Sequence, residues 1–361
     1  MSAPPPPIGL LAELTHRCPL SCPYCSNPID LERRSEELDA EAWARIFREA
    51  AALGVLQLHL SGGEPAARRD LAEIVAAAAA AGLYGNLITS GVGLDAKRLA
   101  ILAANGLDHV QLSIQHAGEG PADLIGGYRG GHRRKLAIAR AVVELGLPLT
   151  LNVVLHRANI GATRALVDLA LDLGASRIEL AHAQYYAWAA RNRDALMPEE
   201  AEIHAALDEA EALREQLRGR LAVDIVAPDY FARLPKPCMG GWGRQIINVT
   251  PSGKALPCHA AQTIPGLEFW SVKERSLAEI WADSPAFQAF RGEGWMREPC
   301  RTCPQRGADF GGCRCQALAL TGDARNADPA CSLAPHHALI REAAKRPAER
   351  PAFSYRAPAP S

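Results

Sequence analysis

The chain has 361 residues, 48% hydrophobic and 22% charged, with a formal net charge of −1. That length suits one large domain or two ordinary ones with a sizeable core. The near-balance of charge gives no electrostatic reason to expect nucleic acid or a membrane as partner, and no apolar run is long enough to span a bilayer.

Residues 1–7 end in four consecutive prolines and are expected to form a flexible N-terminus. No basic residue precedes the apolar stretch Ile8–Leu14, so it reads as a first strand rather than a secretion signal, and a cytoplasmic protein is expected. A unit then recurs. Amphipathic segments end at Gly54, Gly82, Gly106, Gly146 and Gly174, and a β-rich run follows each: Val55–Leu60, Tyr84–Thr89, His109–Ile114, Leu149–Leu155 and Arg177–Ala181. Glycine just past a helix end accepts the left-handed conformation that closes the last turn. In the first of these helices Asp39 is placed as N-cap, and Trp43, Ile46, Phe47, Ala50 and Leu53 share one face.

Alternating β and α elements imply an α/β fold with a parallel sheet, here a partial (β/α)6 TIM-like barrel. Chemistry in such barrels sits at the C-terminal ends of the strands. Those ends carry Thr15–Cys25, Ser61-Gly62-Gly63-Glu64, Thr89-Ser90-Gly91, Ser113-Ile114-Gln115-His116, His156–Asn159 and His182–Tyr186. A polar connecting helix follows over 198–220, so the barrel unit is expected to span 8–220. Residues 221–337 are rich in Cys, Gly and Trp and poor in periodicity, and such a region needs cross-linking to hold a shape. Residues 338–361 read as a helix end followed by a mobile, proline-rich tail.

The ten cysteines are clustered: three lie within Cys18–Cys25, and the other seven between Cys238 and Cys331. In a reducing compartment clustered thiols point to metal rather than to disulfides. Iron–sulfur clusters take thiolate ligands, usually four, so a loop offering Cys18, Cys22 and Cys25 leaves one iron open for a small molecule. A structural zinc site is the alternative, with His16 or a distant residue as fourth ligand.

Cys18-x3-Cys22-x2-Cys25, with Tyr24 before the last cysteine and Gly62-Gly63-Glu64-Pro65 after the second strand, resembles the radical S-adenosylmethionine (SAM) superfamily. The resemblance implies a [4Fe–4S] cluster whose open iron chelates SAM and whose electron cleaves it to a 5′-deoxyadenosyl radical. It also implies that the loop Gly62-Gly63-Glu64 receives the SAM amino group. By the same likeness Tyr24, Thr89, Ser90, Ser113 and Asn152 are candidate cofactor contacts.

The pattern Cys238-x14-Gly253-x4-Cys258, Cys300-x2-Cys303, Cys313-x-Cys315 and Cys331 is similar to the SPASM extension, which holds two auxiliary iron–sulfur clusters, [4Fe–4S] or [2Fe–2S]. The usual pattern has a cysteine where this chain has Asp309. The likeness assigns Cys238, Cys258, Cys313 and Cys315 to one cluster and Cys300, Cys303, Asp309 and Cys331 to the other. Asp309 also reads as a turn residue before Phe310-Gly311-Gly312.

Within that superfamily, Glu179–Tyr186, Pro237–Arg244, Asn248–Gly253 and Gly311–Ala317 resemble the PqqA peptide cyclases of pyrroloquinoline quinone biosynthesis. The resemblance implies a carbon–carbon bond between a glutamate and a tyrosine of the precursor peptide PqqA. The radical takes hydrogen from the glutamate γ-carbon, the carbon radical adds to the ring, and an auxiliary cluster accepts the surplus electron. It further implies PqqD as peptide-presenting chaperone and a low-potential electron donor such as flavodoxin. His116, His182, Tyr185 and Tyr186 are candidate bases, and none is singled out. Two alternatives stay open: another SPASM peptide-modifying enzyme, either a thioether maturase or a sulfatase-maturing dehydrogenase, and a zinc-stapled scaffold without catalysis.

Overall fold

The computed structural model describes residues 4–345 and 347–356. The first βα unit shows how sequence becomes structure. Asp39 accepts from the Ala42 amide at 2.8 Å and caps helix Ala40–Leu53. Trp43, Ile46, Phe47 and Ala50 form its buried face. Gly54 ends it at φ 102° and donates to Ala50 and Ala51. A side chain at that φ is strained, which is why glycine sits there.

All six expected strands are present: β1 (Gly9–Thr15), β2 (Gln57–Gly62), β3 (Tyr84–Thr89), β4 (His109–Ser113), β5 (Leu149–Leu155) and β6 (Arg177–His182). Three more extend the sheet: β7 (Ala222–Val226), β8 (Ile246–Val249) and β9 (Ala255–Leu256). The order is β7-β6-β5-β4-β3-β2-β1-β8-β9, parallel throughout except for the antiparallel β8–β9 pair. Leu10, Ala12, Leu58, Leu60, Leu87, Val110, Leu112, Leu151, Val153, Ile178 and Leu180 are fully buried and face the covering helices or the sheet interior. Burial of this kind stabilises by about 1.5–3 kcal/mol per large side chain.

The sheet also runs beyond the six barrel strands. Residue 220 does not end it, because β7 continues the parallel ladder beyond the polar helix Glu200–Gln216. Nor does the cysteine-rich region stand apart: Gly9–Ala12 of β1 pairs with Ile246–Val249 of β8 in register. Of the expected flexible N-terminus, residues 4–7 are described, with Pro5 and Pro6 exposed. Pro7 is buried and the Pro5 carbonyl accepts from Trp281 Nε1 at 3.0 Å. Residues 1–3 lie outside the described part.

The expected mobile tail makes several specific contacts over residues 347–356, most of which are exposed. After helix His337–Ala343, Pro347 and Ala348 accept from the Arg157 guanidinium. Ser354 exchanges two hydrogen bonds with the buried Asn192 side chain, at 2.7 and 2.9 Å. Residues 346 and 357–361 of the expected tail fall outside the described residues. Among those described, no helix is long and apolar enough to cross a membrane.

Candidate active site

The loop after β1 brings Cys18, Cys22 and Cys25 over the C-terminal ends of the strands. There they line a cavity of about 220 Å³ with Tyr24, Gly62, Gly63, Thr89, Ser90, Ser113, Gln115, Asn152 and Arg356. The two glycines are dictated by backbone proximity. A Cβ on Gly63 would lie 2.4 Å from the Arg17 carbonyl oxygen, and one on Gly62 2.3 Å from that of Thr15. Gly63 donates to the Thr15 carbonyl at 2.5 Å and Glu64 to that of Arg17 at 2.7 Å. The β2 loop is thus tied to the segment that leads into Cys18.

Glu64 does not face this cavity. It is completely buried, and its carboxylate accepts from Thr89 Oγ1 (2.6 Å), Ser90 N (2.7 Å), Ser90 Oγ (2.5 Å) and Ala66 N (2.9 Å). These bonds make it a latch between the β2 and β3 loops, with its acceptor capacity taken. The Thr89 and Ser90 hydroxyls are engaged by the same latch, and both residues border the cavity. Asn152 donates to Glu179 at 3.1 Å, which orients its amide.

Three residues here were not among the candidate contacts, and Lys135 lay outside every motif. Lys135 is 1% exposed and donates to the Ser113 carbonyl (2.9 Å) and to Gln115 Oε1 (2.6 Å). The Tyr24 hydroxyl lies beside Gln115 and Cys22. His156 is fully buried, and its ring lies 5.3 Å from that of Tyr24.

Burial, aided by Glu64 and Cys22, pushes the Cys18 thiol up to about 12. Burial likewise raises Cys22 to about 11 despite Lys135 nearby. Thiols so placed do not ionise by themselves; a cationic centre bound among them stabilises their thiolates. Three soft donors in one loop, facing a cavity, therefore fit an iron–sulfur cluster.

The second cysteine group separates into two sets. Cys238 is in hydrogen-bonding range of Cys258 and Cys313, and Cys315 of the same two, so four thiols close a ring. Trp242, Phe290 and Ala261 pack around it. Cys300, Cys303, Asp309 and Cys331 line a separate cavity of about 270 Å³. There Asp309 Oδ1 accepts from Gly311 N at 2.8 Å. The turn role and a place among the thiols thus coincide in one residue. Arg314, 1% exposed, lies between the sets and donates to the Gly311, Gly312, Ala324 and Asn326 carbonyls.

None of the four candidate bases lines the 220 Å³ cavity among its described residues. His116 accepts from Gly118 N at 2.9 Å, Tyr185 packs edge-on to Tyr230, and His182 is 5% exposed with its pKa lowered by burial to about 4. Tyr186 bonds His259 Nε2 and stands close to Cys258, Cys313, Cys315 and Cys25.

Residues 12–170 match the model of the radical SAM superfamily, and residues 238–304 match that of the SPASM iron–sulfur cluster-binding domain. A PqqA peptide cyclase of Methylobacterium sp. (strain 4-46) is 62% identical over 93% of this chain and 89% of its own length. One from Methylorubrum populi is 59% identical over 98% and 92%. Among solved structures, SuiB of Streptococcus suis bound to S-adenosylmethionine superposes with a TM-score of 0.76 at 20% identity, over 91% of this chain and 78% of that one, a likeness of fold. The chain belongs to the PqqA peptide cyclase family of radical SAM enzymes and carries a C-terminal SPASM domain.

Proposed function

We propose that this chain joins a glutamate side-chain carbon to a tyrosine ring carbon within PqqA, with net loss of two hydrogens, in pyrroloquinoline quinone biosynthesis. The observation that carries the reading is the meeting of Cys18, Cys22 and Cys25 with the Gly62-Gly63 loop at one cavity, in a chain with two further sets of sulfur ligands. A [4Fe–4S] cluster held by those three thiolates supplies, with SAM, the reductive cleavage that yields a 5′-deoxyadenosyl radical.

The chain's own residues do the positioning. The Gly62-Gly63 backbone offers a surface unobstructed by side chains, suited to the amino group of SAM. Ser113 and Asn152 stand at the cavity wall for its carboxylate and ribose. Tyr24, Gln115 and Lys135 form a buried hydrogen-bonded support behind Cys22. Glu64 acts through the backbone it fastens. Cavity walls from five strand ends hold the reacting carbons together and exclude water.

Cys238, Cys258, Cys313 and Cys315 are assigned to one auxiliary cluster, and Cys300, Cys303, Asp309 and Cys331 to the second. The ring of four thiols and the shared cavity support these groupings. Asp309 keeps one carboxylate oxygen free of the Gly311 turn, which supports its place among the ligands. PqqD as the presenting chaperone and a flavodoxin-type donor complete the reading.

The test is anaerobic incubation of the reconstituted, reduced chain with SAM, PqqA and PqqD. A product lighter by two hydrogens, with fragments locating a Glu–Tyr bond, is expected. Two-hydrogen loss without that bond overturns the cross-link, and iron-free, colourless protein overturns the cluster assignments.

A further inference from the structure

The C-terminal segment, whose composition resembles a loose tail, supplies a wall of the active-site cavity. Its anchors are specific. Ser354 is clasped by Asn192, whose Nδ2 also reaches the Pro23 carbonyl inside the cysteine loop at 3.0 Å. The Tyr355 hydroxyl donates to the Leu124 carbonyl at 2.7 Å, and its ring lies on Gly127, where a Cβ would meet it at 3.2 Å. Phe353 meets the His156 ring edge-on.

These contacts deliver Arg356 beneath the cysteine loop, 3% exposed. Its Nη2 donates to the carbonyls of Leu20 (2.9 Å) and Cys18 (3.3 Å). Among the described residues, its Nε and Nη1 are buried without a hydrogen-bond partner. The residue lines the same cavity as Cys18, Cys22, Cys25, Ser113 and Asn152. A buried guanidinium with open donors is costly unless an anion completes it. No carboxylate among the described residues does so.

We propose that Arg356 is a carboxylate-binding residue of the active site, completed by the carboxylate of SAM or by the side chain of the glutamate that reacts. The inference rests on the functional reading above. Guanidinium suits the task because it stays charged when buried and presents planar, fixed donors to a carboxylate. The Ser354–Asn192 clasp fixes where the charge stands, so the segment is part of the binding surface rather than a cover over it.

The test uses the full-length, cluster-loaded chain with Arg356→Gln and Arg356→Lys, after iron content is measured in each. SAM affinity is read from perturbation of the reduced cluster's electron paramagnetic resonance signal during titration. PqqA affinity is read by fluorescence anisotropy of labelled peptide in the presence of PqqD. Loss of a charge-assisted contact predicts a dissociation constant raised about 10- to 100-fold in Arg356→Gln, with Arg356→Lys nearer to wild type.

A change in SAM affinity assigns the cofactor carboxylate. Unchanged SAM affinity with weakened PqqA binding, abolished when the peptide glutamate is replaced by glutamine, assigns the substrate. Both affinities within twofold of wild type overturn the proposal. Loss of iron from both variants also overturns it, since Arg356 would then serve only to hold the Cys18–Leu20 backbone. Wild-type protein that binds SAM but does not cyclise PqqA defeats the functional reading and leaves the SAM measurement intact.

Discussion

Replacing Glu64 with alanine separates a latch from a ligand. The substitution strands the amides of Ser90 and Ala66, whose positions are fixed by the backbone, and frees the Thr89 and Ser90 hydroxyls to seek other acceptors. Two buried amides left without acceptors cost about 2–6 kcal/mol at roughly 1–3 kcal/mol each. For a cooperative unit of this size each kcal/mol lowers Tm by about 2–4 °C, so a drop on the order of 10 °C is expected. Anaerobic thermal unfolding of the holoenzyme by circular dichroism, with SAM affinity measured in parallel, is the assay. A latch shows a lowered Tm and weakened SAM binding together, because the Gly62-Gly63 loop loses its tether to β3. A variant that melts within about 2 °C of wild type yet binds SAM poorly refutes the reasoning and makes Glu64 a direct contact.

Other expectations follow from the same structure. Gly63→Ala places a Cβ against the carbonyls of His16 and Arg17, backbone atoms that cannot yield, so iron retained after reconstitution should fall sharply relative to a control such as Gly120→Ala, whose Cβ meets nothing and whose backbone is not left-handed. Asp309→Ala should alter the iron content and the electron paramagnetic resonance spectrum assigned to one auxiliary cluster, and an unchanged spectrum removes Asp309 from the ligand set. Burial lowers His156 to about 3 and His182 to about 4. Below about 6.5 the unfolded chain takes up protons that the folded one refuses, so stability falls with falling pH, by about 2 kcal/mol per histidine between pH 7 and pH 5. A His156→Gln, His182→Gln protein should show a flatter dependence of Tm over that range. Asn192→Ala removes the clasp on Ser354 and should make the C-terminal segment more sensitive to carboxypeptidase without loss of secondary structure.

The parallel strands were legible because each helix ends on a glycine whose φ, 71° to 102° in the structure, is hard for other residues. β7, β8 and β9 escaped notice for the opposite reason. They are 5, 4 and 2 residues long; β7 and β8 pair with β6 and β1, distant in the chain, and the two-residue β9 hangs on β8. The cysteine sets could be read because ligand chemistry restricts residue type. The partners of Glu64 were not legible, since only tertiary contact brings Thr89, Ser90 and Ala66 to its carboxylate. Arg356 gave no signal, because a short proline-rich stretch reads as solvent-loving until Asn192 is seen holding it. Lys135 follows the same logic: a buried lysine is improbable from composition and becomes necessary only beside Gln115 and Cys22.

Insertion of β8 beside β1 has a consequence for exchanging parts between relatives. The strand that leads into Cys18 has β2 on one flank and, on the other, a strand that begins at residue 246. During synthesis that flank stays open until more than two hundred further residues have been made. A barrel cut away from its cysteine-rich half would expose an unpaired, apolar strand, a template for self-association. Chimeras with a seam near residue 220 should therefore aggregate, whereas those that carry 246–256 with the barrel keep the sheet closed. The two halves share one sheet, joined at the strand that presents the working cysteines.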